Sequence, residues 1–267
     1  MYTGSILVLA LSAATMVSAH GKVLSVVGNA GGNGTALGIK GASIATFGPN
    51  SATEKDTTVF GGNANDPTTN GLGKTTASGT LKVADLADTM AASGSTLPQV
   101  SADGTGTITG TWRIVTSDGT ANNKNGDLFA VIDSTGTGAY STGTQLTATS
   151  DMVGNGQGNV VQRTVTRALR ALGKRATNVG ADAPFTVKIP AGTTCTGTDA
   201  TSGATNFCLM KIANNNNAGP FGGSIAFQVA GASTSSNTTA AATTATQANA
   251  KAAKAGKTAR REQMFKA

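Results

Sequence analysis

Thirty-six glycines lie scattered through the 267 residues without a regular period, and that scatter limits the fold more than any other feature. Glycine costs a helix interior about 1 kcal/mol relative to alanine, and the accompanying threonines are also poor helix formers. A helical bundle is therefore disfavoured. The missing three-residue period excludes collagen, and the low density of Ala, Glu, Lys, Leu and Arg excludes a coiled coil. Charged residues make up 12% and aromatics 4% of the chain, against ~25% charged in an average domain. What remains is a β-rich, loop-rich chain with few bulky anchors.

The two ends differ from the body. Residues 1–19 carry an apolar run ending in Val17-Ser18-Ala19, the small-residue pattern of a secretory signal. The alternative, a short membrane anchor, falls short of the ~20 apolar residues a span needs; no other segment is long enough either. Cleavage after Ala19 would leave His20, the single histidine, as the first residue. Residues 232–267 are mostly small and polar, with six basic residues against the single acid Glu262, so five of the seven net positive charges sit there. Such a tail buries too little apolar surface to order itself. The division expected is thus a signal peptide over 1–19, one domain over 20–231 and a basic tail over 232–267. Nucleic acid is an improbable partner, because no aromatic is interleaved with the tail's charges.

Within the body, alternation with period two marks strands. Phe185, Val187 and Ile189 share one face; so do Ile108, Gly110, Trp112 and Ile114, and Ile225, Phe227 and Val229. Residues 23–27 and 128–132 read as more buried strands. Turn-rich clusters separate them at 28–34, 63–70, 117–126 and 214–219. Short strands between Gly- and Asn-rich turns predict a mainly β chain, an immunoglobulin-like β-sandwich with one or two short helices and long glycine-rich loops. Val83, Leu86, Ala87 and Met90 recur at helical spacing, with Gly94 as a stop. Residues 160–175 fit both a strand running into a basic loop, the preferred reading, and an amphipathic helix. The basic cluster ending Lys174-Arg175 reads as a solvated face, a patch for acidic glycans or a dibasic processing site.

Cys195 and Cys208 are the only cysteines. In a chain bound for an oxidising compartment they are expected to form a disulfide, worth on the order of 3 kcal/mol for so short a loop. Zinc is the poorer alternative, with two thiolates and no neighbouring histidine. Asn33 and Asn237 head Asn-x-Thr sequons and are candidate glycosylation sites. A Ser-His-Asp or Cys-His site would need His20 as its base. Paired aspartates for glycoside hydrolysis have no spacing that singles them out. No catalytic residue is assigned.

Taken together, His20-Gly21, the run from Gly28 to Gly34 followed by Ala36-Leu37-Gly38-Ile39, Leu97-Pro98-Gln99-Val100, Cys195-Thr196-Gly197 with Cys208, and Asn217-Ala218-Gly219-Pro220-Phe221-Gly222-Gly223 carry a resemblance. In order and spacing they resemble the Egh16-like virulence factors, secreted proteins associated with the appressoria of pathogenic fungi. The resemblance covers the body from His20 to Val229. The mature start and the Ala218–Gly223 stretch are also distantly similar to copper-dependent lytic polysaccharide mono-oxygenases, which fold as β-sandwiches. Family members usually have a histidine near the position of Trp112, and further cysteines; this chain has neither.

The resemblance implies a secreted, extracellular, monomeric protein that acts at the cell surface or the host cuticle or wall. Its implied partner is cell-wall polysaccharide or the host surface, met by binding rather than catalysis. Gly219–Gly223 is then a turn packing Phe221 beneath the sandwich. The competing expectation is a copper-dependent oxidase of polysaccharide with His20 as ligand. A terminal histidine offers two nitrogens, and Cu(II) favours a fuller tetragonal set. Apart from copper, no cofactor is expected.

Overall fold

The structure is a computed structural model and describes residues 20–41, 55–63, 66–115, 128–150, 152–154, 160–162, 182–214 and 219–231. All lie in the first of two units, Met1–Ala232 and Ser233–Ala267. The expected signal segment, the basic tail with Asn237, the turn cluster at 117–126 and the Lys174-Arg175 pair fall outside the described residues.

The first half of the chain supplies β1 (Gly21–Gly28), β2 (Gly31–Gly34), β3 (Thr58–Val59), β4 (Lys74–Thr75) and β5 (Gly79–Thr80). Helix α1 (Leu86–Ser93), β6 (Gln99–Val100) and β7 (Thr107–Ile114) follow. The second half adds β8 (Leu128–Asp133), β9 (Thr144–Ser150) and a separate hairpin of β10 (Met152–Gly154) and β11 (Val160–Gln162). It ends with β12 (Asp182–Lys188), β13 (Gly197–Thr198), β14 (Thr205–Ala213) and β15 (Phe221–Val229).

Hydrogen bonding runs through one 13-stranded sheet. Its middle, in the order β14-β8-β9-β12-β7-β1-β2-β6-β15, closes on itself because β15 also pairs with β14. β13 branches from β14, and β3-β4-β5 branch from the start of β15. The β6–β15 pairing is parallel, so the sheet is mixed. Closure hides strand edges that would otherwise template association. The mainly β class is as expected, with one short α-helix among the described residues. Among the described residues this pairing joins every strand except β10 and β11 into one network.

Burial follows the pleat. On β12, Ala183, Phe185 and Val187 are buried while Pro184 and Lys188 are exposed; on β7, Ile108, Trp112 and Ile114 point inward. These join Cys208, Met210, Ile212, Ile225 and Phe227 in one apolar cluster. A second cluster gathers Phe207 and Leu209 of β14 and Ala226 of β15 with Leu72, Leu86 and Tyr140. β14 and β15 are thus apolar on both faces, which explains their near-continuous burial. Trp112 is a core side chain at 1% exposure. Gly21 permits this, since a Cβ there would lie 2.3 Å from the indole.

α1 is preceded by a 3-10 turn over Val83–Asp85, whose Asp85 carboxylate accepts the Lys82 N–H at 2.8 Å. The helix stops at Gly94 as expected, and its apolar stripe buries Leu86. Two expected turns differ. The 28–34 cluster is a hairpin in which Asn29-Ala30 turn between β1 and β2. The Asn29 side chain pins it by accepting the N–H groups of Ser101 and Thr107, both at 3.1 Å. The Gly219–Gly223 turn is cut short because β15 begins at Phe221. There Gly222 lets β15 approach β14 closely: a Cβ would sit 1.9 Å from the Ile212 carbonyl oxygen. Of the ambiguous 160–175 segment, residues 160–162 form β11, and the remainder lies outside the described residues.

Candidate binding groove and the His20 end of the sheet

His20 immediately precedes β1. Its carbonyl accepts the Val115 N–H at 2.9 Å, extending the β1–β7 pairing by one step. The side chain is 9% exposed, with its ring centroid 3.9 Å from that of Phe221 at an interplanar angle of 51°. Phe221 is fixed by Asn214, whose side-chain oxygen accepts the Phe221 N–H at 2.9 Å. Pro220 holds Phe60 through its carbonyl. The resemblance-bearing His20 and Phe221 segments therefore meet, and the contact between them is an aromatic one.

Copper would ask this place for several nitrogen or oxygen donors in a tetragonal set. Among the described residues, no group of three or more His, Cys, Asp and Glu side chains is placed to hold a metal ion. The His20 imidazole packs on the Phe221 ring.

Two residues along β1, Lys22 is 1% exposed and donates from Nζ to Asp56 Oδ1 at 2.5 Å; Asp56 is fully buried. Asp56 Oδ2 accepts the backbone N–H of Lys40 at 3.2 Å. The pair ties the first strand to the segment entering β3. Nothing in the sequence reading found it, although a lysine beside the apolar run of β1 was the signal.

Most of the other described aspartates hold turns. Asp66, Asp103 and Asp133 each accept both the backbone N–H and the hydroxyl of the threonine two residues on, at 2.5 to 3.0 Å. Asp133 also accepts the amides of Thr137, Gly138 and Ala139. Burial pushes the Asp133 carboxyl up, but those bonds outweigh it and hold it below the ordinary range. Hydrogen bonds from Thr68 and Thr105 likewise lower Asp66 and Asp103. Asp182 instead forms a two-bonded pair with Arg113, both bonds at 2.6 Å. A general acid for glycoside cleavage needs a raised carboxyl pKa; these are lowered or engaged.

Lys211, midway along β14, is buried at 2% exposure. Its Nζ donates to the carbonyls of Pro67, at 3.2 Å, and Thr69. It also lies 4.8 Å and 4.5 Å from the ring centroids of Phe60 and Tyr140. Burial pushes its pKa down to about 8, an effect partly opposed by the nearby Asp66 charge. Beside it, buried Tyr140 donates to Ser224 Oγ at 3.0 Å, and burial drives its phenol pKa upward. Tyr140 belongs to the second core cluster.

A concave surface among the described residues lies elsewhere. A groove of about 870 Å³ runs between the outer face of β1–β2 and α1, within the size range of ligand sites. Leu24, Val27 and Ile39 line it with Ala91 and Ala92 of the helix. At 47%, Val27 is the one exposed large hydrophobic among the described residues. Exposed Asn33, Lys40 and Asp88 supply its polar atoms. The sequon residue Asn33 thus opens onto the groove. Cys195 and Cys208 form the expected disulfide, with Cα atoms 4.8 Å apart. No described helix is long and apolar enough to cross a membrane.

Against known proteins, the profile of the Egh16-like virulence factors matches residues 18–222. The chain is 31% identical over 231 residues to "Appressoria-specific virulence factor GAS1" of Pyricularia oryzae, covering 86% of this chain and 80% of that relative. A 46-residue stretch is 48% identical to "Appressoria-specific virulence factor GAS2" of the same fungus, covering 17% and 15% respectively. No solved structure matches the chain.

Proposed function

The chain belongs to the Egh16-like virulence-factor family, and from that membership we propose that it is a secreted protein acting at the fungal cell surface or on the host cuticle or wall by binding. The observation that carries this reading is the similarity to an appressoria-specific virulence factor over 86% of the chain. Two features support binding over turnover. Several aspartates are committed to turns and ion pairs, which leaves them poorly suited to acid catalysis. The groove beside Val27 gives a ligand a concave, largely apolar seat.

The test is retention of the secreted full chain on isolated fungal walls and on host cuticle and wall preparations. Retention lost in Val27→Asp, with the fold intact by circular dichroism, supports groove-mediated binding; absence of retention on every preparation overturns the binding reading. The competing copper-oxidase reading makes a separate demand. It requires stoichiometric copper binding by the signal-cleaved chain that disappears in His20→Ala.

A further inference from the structure

We propose that Lys22 and Asp56 become joined by an intramolecular isopeptide bond, a covalent link between the first strand and the segment entering β3. Their side chains are 1% and 0% exposed, and Nζ lies 2.5 Å from Oδ1. An ion pair this deep has lost the hydration of both charges. Bond formation requires one proton to pass across this contact, leaving an amine and a carboxylic acid, neutral forms whose burial costs less than that of two ions. The amine is then a nucleophile held against one oxygen of the carboxyl it would attack, and such proximity gives a high effective molarity. The carboxyl's other oxygen, Oδ2, accepts the Lys40 backbone N–H at 3.2 Å. That fixed donor faces the oxygen on which negative charge develops as nitrogen adds to Cγ. Nucleophile, electrophile and oxyanion donor are thus assembled where bulk water is excluded.

The step balances without a co-reactant. The Lys22 ammonium passes one proton to Asp56 Oδ1, and neutral Nζ adds to Cγ. The N–Cγ bond forms and the Cγ–Oδ1 bond breaks. A second Nζ proton leaves with Oδ1, so one water is released and nothing is oxidised or reduced. The product is a neutral amide whose carbonyl oxygen is the former Oδ2, still hydrogen-bonded to Lys40. Lys211 has no such future, because its Nζ meets backbone carbonyls and aromatic faces.

Tryptic peptide mapping of the secreted, reduced full chain tests the proposal. The expected result is a branched peptide joining Lys22 to Asp56, about 18 Da lighter than its two parts, with cleavage after Lys22 blocked. Lys22→Arg keeps a cation beside Asp56 but cannot form this amide, and its peptides should separate at full mass. Wild-type peptides recovered unlinked at full mass would overturn the proposal, as would the same mass loss in Lys22→Arg. The wild-type map decides by itself, so a variant that fails to fold leaves the test standing.

Discussion

The two buried lysines lie in different regions and are satisfied by different chemistry. Lys22, at the start of β1, meets a fully buried carboxylate. Lys211, in the second core, meets two carbonyls and two aromatic rings, with Asp66 contributing only a nearby charge. In the first region each group depends on the other, as an ion pair before the proposed bond forms and as one amide after it, so losing one strands its partner in an apolar interior. In the second, the surroundings are dipoles and π faces, so the ammonium is tolerated but its proton is held less firmly. The contrast shows that burial alone does not fix what a lysine does. The partner decides how the buried ammonium is satisfied.

This contrast can be broken at either lysine. Lys22→Ala should have the largest effect, about 3–5 kcal/mol of lost stability, because it leaves Asp56 buried and uncompensated; denaturant unfolding measures it. Asp133→Ala comes next, at about 2–4 kcal/mol, since it orphans amides in a partly buried turn. Lys211→Met should cost about 1–3 kcal/mol by removing the donor from Pro67 and Thr69. A loss at Lys211 equal to that at Lys22 would remove the distinction. Tyr140→Phe, which loses one buried hydrogen bond to Ser224, should cost about 1 kcal/mol.

The pH dependence sharpens the same point. Lys211 titrates at about 8 when folded, below its ordinary 10.5, so between those values the unfolded chain binds more protons. Its contribution to stability therefore rises with pH across that window, is complete above the ordinary value and is lost as pH falls through about 8. Subtracting the unfolding profile of Lys211→Met from that of wild type should isolate this slope. Tyr140 acts oppositely. Its raised folded pKa gives stability that is present below its ordinary 10 and is lost as pH rises further.

The strands carrying the apolar interior were readable because period two puts Phe185 and Val187, or Ile108 and Trp112, on one face. α1 was readable from its stripe and from Gly94. Sheet closure was not, because the β14–β15 pairing that completes the circuit is a tertiary fact with no local pattern. The 28–34 hairpin was hidden by its glycines, which mark turns in sequence yet here form β2. Lys211 does carry a sequence signal, a lone charge inside the apolar run from Phe207 to Ile212. So do the turns at Asp66, Asp103 and Asp133, which repeat Asp-x-Thr. The groove could not be read at all, since β1–β2 and α1 are brought together only by folding.

Retention on isolated fungal wall, host cuticle and host wall, measured alongside release of oxidised sugars with copper and a reductant supplied, tests the central claim most directly. The account predicts that the secreted full chain is retained, that Val27→Asp is not, and that no oxidised sugars form. Copper-dependent release of oxidised oligosaccharides that His20→Ala abolishes would contradict it.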